Sequence, residues 1–356
     1  MSAFPFLLVY LIPVAVFLGF HFGGWYHFLT PLLVFVVVPV MDYLVGSDKN
    51  NPTPEEEVKL QKSFVFRIIT WIGAPVQIVL VFWGGYIIAN YTMSIPELLG
   101  FILSIGISSG VVGINISHEL QHRLDNTFEP LLARLMLWSV LYMHWAIEHI
   151  SGHHRWVATP FDPATARLGE SYYAFWPRTV FGGIKSAWEI ENKRLQKKSP
   201  KGLFNLNRLV FYFLAQLMLI FLFYVLFGWK GVLFLILQSM VAISLLEVVN
   251  YIEHYGLLRR QTGDQQYEAV KPHHSWNSSH RLTNYFLFNL QRHSDHHYKP
   301  SRRYPVLRHF EESPQLPTGY AGMILLALLP FLWRRYMDPK VLDWRNAETT
   351  SLPETG

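Results

Sequence analysis

The sequence predicts an all-α integral membrane protein: six transmembrane helices in three hairpins, with a histidine-rich helical cap on the cytoplasmic side. Three observations carry this prediction. Of 356 residues, 51% are hydrophobic and only 15% are charged, whereas a soluble chain needs roughly a quarter charged residues to cover its surface. The first 41 residues contain no Asp, Glu, Lys or Arg. Sixteen histidines stand against no cysteine, and most of the histidines are clustered. The composition excludes a soluble globule, a disordered tail and a nucleic-acid-binding protein. The lack of cysteine excludes disulfides, haem–thiolate ligation, thiol catalysis and cysteine-held iron–sulfur clusters.

A helix of about 20 apolar residues spans the ~30 Å hydrocarbon core. Six such runs occur in close pairs: about 3–20 with 25–45, 68–90 with 97–117, and 207–227 with 231–252. The connections are short: His21 to Gly24, Asn90 to Pro96, and Gly228-Trp229-Lys230. Prolines 13, 31, 39 and 75 are compatible with membrane helices, because neighbouring helices re-satisfy the freed backbone groups. The first run lacks a basic leader region and a small-residue cleavage site, so it reads as a retained helix.

Lysine and arginine set the orientation. Segments 46–67, 118–208 and 253–356 hold 4, 12 and 13 of the 30 basic residues, leaving only Lys230 opposite. This places both termini in the cytoplasm, and in a bacterium the membrane is the inner one. Leu135–Ile147 is uncharged but too short to cross, and reads as a helix packed in or on the protein. Residues 320–336 read as an interfacial helix with basic and aromatic anchors, and Lys-rich 185–201 as a solvated helix facing anionic headgroups. The terminal Leu-Pro-Glu-Thr-Gly resembles a sortase tag, so 350–356 are set apart from the fold.

Four places carry the chemistry. His118 and His122 have HxxxH spacing. His149, His153 and His154 have HxxxHH spacing. His254 closes the sixth run. His293, His296 and His297 have HxxHH spacing. On a helix, positions three and four apart share a face, so each cluster aims its imidazoles at one point. All nine lie at or beyond the cytoplasmic ends of spans. Protonated, they would repel; neutral, they suit Fe, Zn, Cu or Ni. One tetrahedral zinc takes four ligands, so nine suit two ions with positions left open. Glu119, Glu148, Glu253 and Asp295 each lie beside or between these histidines, and are expected to accept the second ring N–H of a ligand. His21, His27 and His309 read as structural. His144, His273, His274 and His280 receive no role from the sequence.

These clusters resemble those of the integral-membrane non-haem di-iron desaturases and hydroxylases. Four stretches are similar, more narrowly, to the bacterial alkane 1-monooxygenase family: His118-Glu-Leu-Gln-His122-Arg, Glu148 to Arg155 running into Val157-Ala-Thr-Pro-Phe-Asp-Pro-Ala-Thr165, Asn250-Tyr-Ile-Glu-His-Tyr-Gly-Leu-Leu-Arg259, and Leu290-Gln-Arg-His-Ser-Asp-His-His297. The third and fourth discriminate, since desaturases share the spacings but not the strings. The chain departs from the family's usual pattern at Gln121, Arg123 and Ile150-Ser151, and none of these removes a histidine. The resemblance covers nearly the whole chain, from the first span to about Trp344, and the chain reads as one membrane hydroxylase domain over 1–349, with segments 118–206 and 253–349 cytoplasmic by their Lys and Arg content. The resemblance implies oxygen-dependent terminal hydroxylation of medium-chain n-alkanes at two iron ions held by the nine histidines, with electrons from rubredoxin and its reductase.

An alkane offers only apolar area, worth roughly 0.8 kcal/mol per buried CH₂, so it is expected to enter from the bilayer along an apolar channel. With no cysteine and no Gly-rich dinucleotide loop, an external electron carrier must dock. Arg155, Arg292, Arg302 and Arg303 are expected to steer an acidic partner. The rival readings are a fatty-acyl desaturase or xylene-type monooxygenase, a zinc protease using His118-Glu119-x-x-His122, and, outside enzymes, a metal transporter. Chain-length range, oligomeric state and a fused or separate rubredoxin are not encoded in any recognisable pattern.

Overall fold

The computed structural model describes residues 1–197 and 207–350. Of the residues 350–356 set apart above, Thr350 ends the last helix and 351–356 lie outside the described residues, as does the Lys-rich stretch beyond 197. The chain is 72% helix; among the described residues the strands form one small antiparallel pair, β1 (Gln261–Gly263) with β2 (Gln266–Tyr267). Among the described residues, five segments are long and apolar enough to cross a membrane: α1 (Phe4–Phe22), α2 (Gly24–Val45), α4 (Phe64–Asn90), α5 (Ile95–Gln121) and α9 (Arg208–His254). Between α2 and α4 lies the short α3 (Pro54–Lys62), started by a Thr53–Glu56 capping box with three acidic residues in its first turn. These satisfy free N–H groups and oppose the helix dipole. A second box, Ser94 with Glu97, starts α5.

The sixth expected span is contained in α9, whose backbone breaks at Gly228 (φ 65°, ψ −167°). Only glycine enters this region cheaply. The two arms turn back on each other. Trp138 Nε1 donates to Ala215 O (2.7 Å), while Gln238 Nε2 donates to the carbonyl of the next residue, Ser139 (3.1 Å). In a straight helix Ala215 and Gln238 would stand about 34 Å apart.

Polar side chains join the arms to the remaining helices. Gln77 of α4 donates to Ser109 Oγ and Ser139 Oγ at 3.0 Å, and Ser109 donates to Gln238 Oε1 at 2.9 Å. Such bonds, with close backbone approach at small residues, hold membrane helices together. At Gly106 of α5 an added Cβ would lie 2.4 Å from Val241 Cβ and 3.0 Å from the Gln238 carbonyl oxygen. Gly106→Ala is therefore expected to cost about 1–3 kcal/mol through overpacking. A lower thermal midpoint in detergent checks this; an unchanged midpoint rejects it.

Residues 135–147 do not form one helix. α6 (Phe128–Ser139) ends at a turn through Leu141 (φ 55°), and α7 (residues 145–156) begins at Trp145. α8 (Tyr172–Lys197) packs beside α7 and α9. Short helices α10 (Arg281–Phe286) and α11 (His293–Tyr298) follow the β-pair. The expected interfacial helix over 320–336 is instead two helices, α12 (Tyr320–Ala327) and α13 (Pro330–Thr350). Tyr320, Met323, Ala327 and Trp333 are buried, with Trp333 against Tyr251 and Tyr255. That aromatic packing draws the segment inward, while Phe331 stays 75% exposed.

Candidate metal centre

Among the described residues, three segments with the wide π-helical turn border one cavity: 33–37 in α2, 109–115 in α5 and 149–153 in α7. Such turns insert a residue and re-aim the side chains that follow, often at functional sites. Here they precede His118 and His122, contain His149 and His153, and supply Val34 and Phe35 to the adjoining cavity.

All nine histidines of the sequence motifs converge. His118, His122, His149, His154 and His296 form one group; His153, His254, His293 and His297 form a second. Within the first group, Nε2 atoms lie 3.0 Å apart for His122–His149 and 3.1 Å for His149–His154 and His154–His296. In the second, His153–His297 and His254–His293 are each 3.2 Å apart. The neighbouring pairs His153/His154 and His296/His297 are each split between groups, because consecutive helical residues point about 100° apart.

These residues fit a metal pair. Nitrogen donors bonded to one ion at about 2.1 Å sit roughly 3 Å from their neighbours, which is the spacing seen. The His118 Nε2 is buried without a partner, as a donor awaiting a cation would be. Burial, followed by the repulsion of neighbouring imidazoles, holds His122, His149, His154, His293, His296 and His297 well below the ordinary imidazole range. Neutral rings are the ligating form. His153 is the exception: burial lowers it, but the adjacent Asp162 outweighs this and leaves it raised.

The carboxylates are arranged otherwise than expected. Glu119 accepts from Arg123 at 2.6 Å. Asp295 accepts from the Arg302 guanidinium and, at 2.8 Å, from the Arg308 amide. Glu148 takes a long bond from Ser186 Oγ at 3.4 Å. Glu253 does meet a ring, His293, but on its inward nitrogen at 3.1 Å. The carboxylate standing behind a ring is Asp162, 2.9 Å from His153 Nδ1 and held by Thr165 Oγ1 (2.6 Å) and the Ala164 amide (3.0 Å). It sits in a turn nine residues after His153, where helical spacing carries no signal. Asp162→Asn is expected to weaken metal binding about 10–100-fold. Chelator competition measures this; unaltered affinity rejects it.

Three of the four arginines expected to face a partner are consumed internally. Arg292 is buried and donates to Leu307 O and Asp48 O. Arg302 pairs with Asp295 and Glu57, and Arg303 with Glu129. Burial makes such pairing obligatory. Arg155 remains exposed, stacked on Trp156.

The other histidines lie outside these two groups. His144 is buried, which holds it down to about 3. His280 Nδ1 meets Ser278 Oγ at 2.8 Å, and His309 Nδ1 meets Ser279 Oγ at 2.9 Å. Glu268, His273 and His274 are close enough to hold a cation. However, His274 Nδ1 accepts the Lys271 amide at 3.0 Å, which leaves the proton on Nε2, 3.5 Å from Glu268 Oε1. The Lys271 ammonium lies 3.4 Å from the other oxygen. This is a hydrogen-bonded ion cluster, not a third ligand set.

An apolar cavity ends on the histidines; the space between its walls, with the solvent at its mouth included, is about 890 Å³. Ile12, Val34, Phe35, Val38, Val111, Ile114, Leu245, Leu246, Val249, Phe286 and Ile324 line it, from α1, α2, α5, α9, α10 and α12. His118, His149 and His293 reach its wall, together with the polar side chains Asn115, Asn250, Glu253, Thr283 and Tyr320. An apolar chamber with one polar end can hold a molecule without polar handles and present one part of it to a metal.

Residues 94–327 match the fatty acid desaturase family. The chain is 42% identical over 340 residues to alkane 1-monooxygenase 2 of Pseudomonas aeruginosa, covering 95% of this chain and 90% of that protein. It is 41% identical over 360 residues to alkane 1-monooxygenase 2 of Alcanivorax borkumensis, covering 99% and 93%. The hydroxylase component of Pseudomonas putida xylene/toluene monooxygenase is more distant, 28% identical over 97% of this chain and 91% of that protein.

Proposed function

Since the chain belongs to the alkane 1-monooxygenases within the fatty acid desaturase family, we propose that it hydroxylates the terminal carbon of medium-chain n-alkanes, using two iron ions held by the nine histidines and electrons from rubredoxin. The observation that carries this reading is the apolar cavity ending on the histidine cluster. The reaction takes an alkane, dioxygen, two electrons and two protons to a 1-alkanol and water. When bound, the irons supply reductive activation of dioxygen and an oxidant able to attack a terminal C–H bond.

The protein's own part is binding, aim and exclusion. Each methylene buried along α5, α9 and α12 contributes roughly 0.8 kcal/mol. The apolar walls orient the chain lengthwise, so a methyl end meets His118, His149 and His293. The same walls exclude water. The sequence holds no cysteine, so electrons come from a separate carrier; the exposed Arg155, stacked on half-buried Trp156 beside His154, suits an acidic one.

We also read the helices as six crossings in three hairpins, with α7, α8 and α10 to α13 on the cytoplasmic face of the inner membrane. The cysteine-free chain makes this simple to test. A cysteine placed at Lys230 should label from outside the cell, and one at Arg155 only after permeabilisation.

Activity is tested by supplying octane through hexadecane with rubredoxin, an NADH-linked reductase and the purified protein. Gas chromatography should show 1-alkanols. Sustained turnover with NADH alone, or products formed only from acyl lipids, defeats the reading.

A further inference from the structure

The two histidine groups are unequal, five nitrogens against four. Beside the smaller group stands Glu253, next to His254 at the end of α9 and only 1% exposed. Its Oε1 accepts the Tyr320 hydroxyl at 2.7 Å. Its Oε2 lies 3.1 Å from His293 Nε2, the nitrogen that also faces His254 Nε2 at 3.2 Å. A carboxylate that merely orients a ligand stands behind the ring, as Asp162 does at His153 Nδ1. Glu253 stands in front of it. A separation of 3.1 Å is that of neighbouring donors on one ion with bonds of about 2.1 Å. A buried carboxylate also needs a positive partner, and Tyr320 and His293 offer hydrogen bonds but no fixed charge. Glu253 reaches the cavity wall as well, so its oxygen lies where the smaller group faces open space.

We propose that Glu253 is a carboxylate ligand of the metal held by His153, His254, His293 and His297, and that Tyr320 is the positioning residue that holds its second oxygen. Each ion then has five protein donors. The two are unequal in charge: one has five neutral imidazoles, the other four imidazoles and a carboxylate, with Asp162 behind His153. This deepens the di-iron reading and rests on it.

The test is Mössbauer spectroscopy of the anaerobically reduced, iron-57-loaded protein, with iron release to a chelator. Wild type should give two ferrous doublets of equal area. Glu253→Gln should alter one doublet and leave the other unchanged. It should also release one iron of the two at least about tenfold faster, the lower bound set by loss of an outer partner. Tyr320→Phe keeps the carboxylate and should shift the same doublet by less. It carries the test if Glu253→Gln does not fold. Both doublets and both release rates unchanged in either folded variant overturn the assignment. Wild type with fewer than two irons, or with zinc, defeats the di-iron reading instead, so the two failures are distinguishable.

Discussion

Purified protein is expected to contain about two irons per chain, and His293→Ala is expected to lose at least one of them and to fall below about 1% of wild-type turnover while still inserting. Loss of even an outer partner of a metal ligand typically costs about 10–100-fold, and His293 is central to its group. Its Nε2 faces His254 at 3.2 Å and Glu253 at 3.1 Å, and its ring borders the cavity. His153→Ala should behave the same way, since it removes the ring backed by Asp162. Metal analysis and alkanol production are measured on the same preparation. One zinc and no iron in the wild type would falsify the reading, and a His293→Ala protein with full iron and full turnover would remove that residue from it.

The second large effect concerns the cavity. Val249 and Leu245 lie one and two turns before Glu253 on α9, the latter about 12 Å along the axis, and both line the chamber. Leu245→Trp fills its outer part and leaves the metal end open. Short alkanes should react nearly as before. A chain denied four methylenes loses about 3 kcal/mol of burial, or roughly a 200-fold drop in kcat/KM. Val249→Trp sits nearer the histidines and should depress turnover of every chain length. Competition within a mixed alkane series, read by gas chromatography, separates the two patterns. Identical product profiles for both variants and wild type would show that substrate lies elsewhere.

The membrane helices were legible because hydropathy is a local property: an apolar run of sufficient length forms a helix in lipid whatever surrounds it. The turn at Gly228 was legible for the same reason, because a glycine and a charged residue interrupt the run there. The three π-helical turns were not, since they arise from how α2, α5 and α7 fit around the cavity. The buried half of 320–336 was missed because its composition matches a surface helix, and only contact with Tyr251 and Tyr255 draws it inward.

By itself, the sequence determined that the chain is an apolar helical bundle and that nine histidines of ligand spacing stand at the helix ends, because residue type and interval along one helix suffice for both. Tertiary structure alone decided the rest. It divided the rings into five and four, backed His153 with Asp162 rather than Glu148, turned Glu253 to the inward nitrogen of His293, and took Arg292, Arg302 and Arg303 into internal pairs. Each of these is a meeting of side chains that no single helical interval brings together, and a buried polar or charged group finds its partner only once the helices and turns have packed.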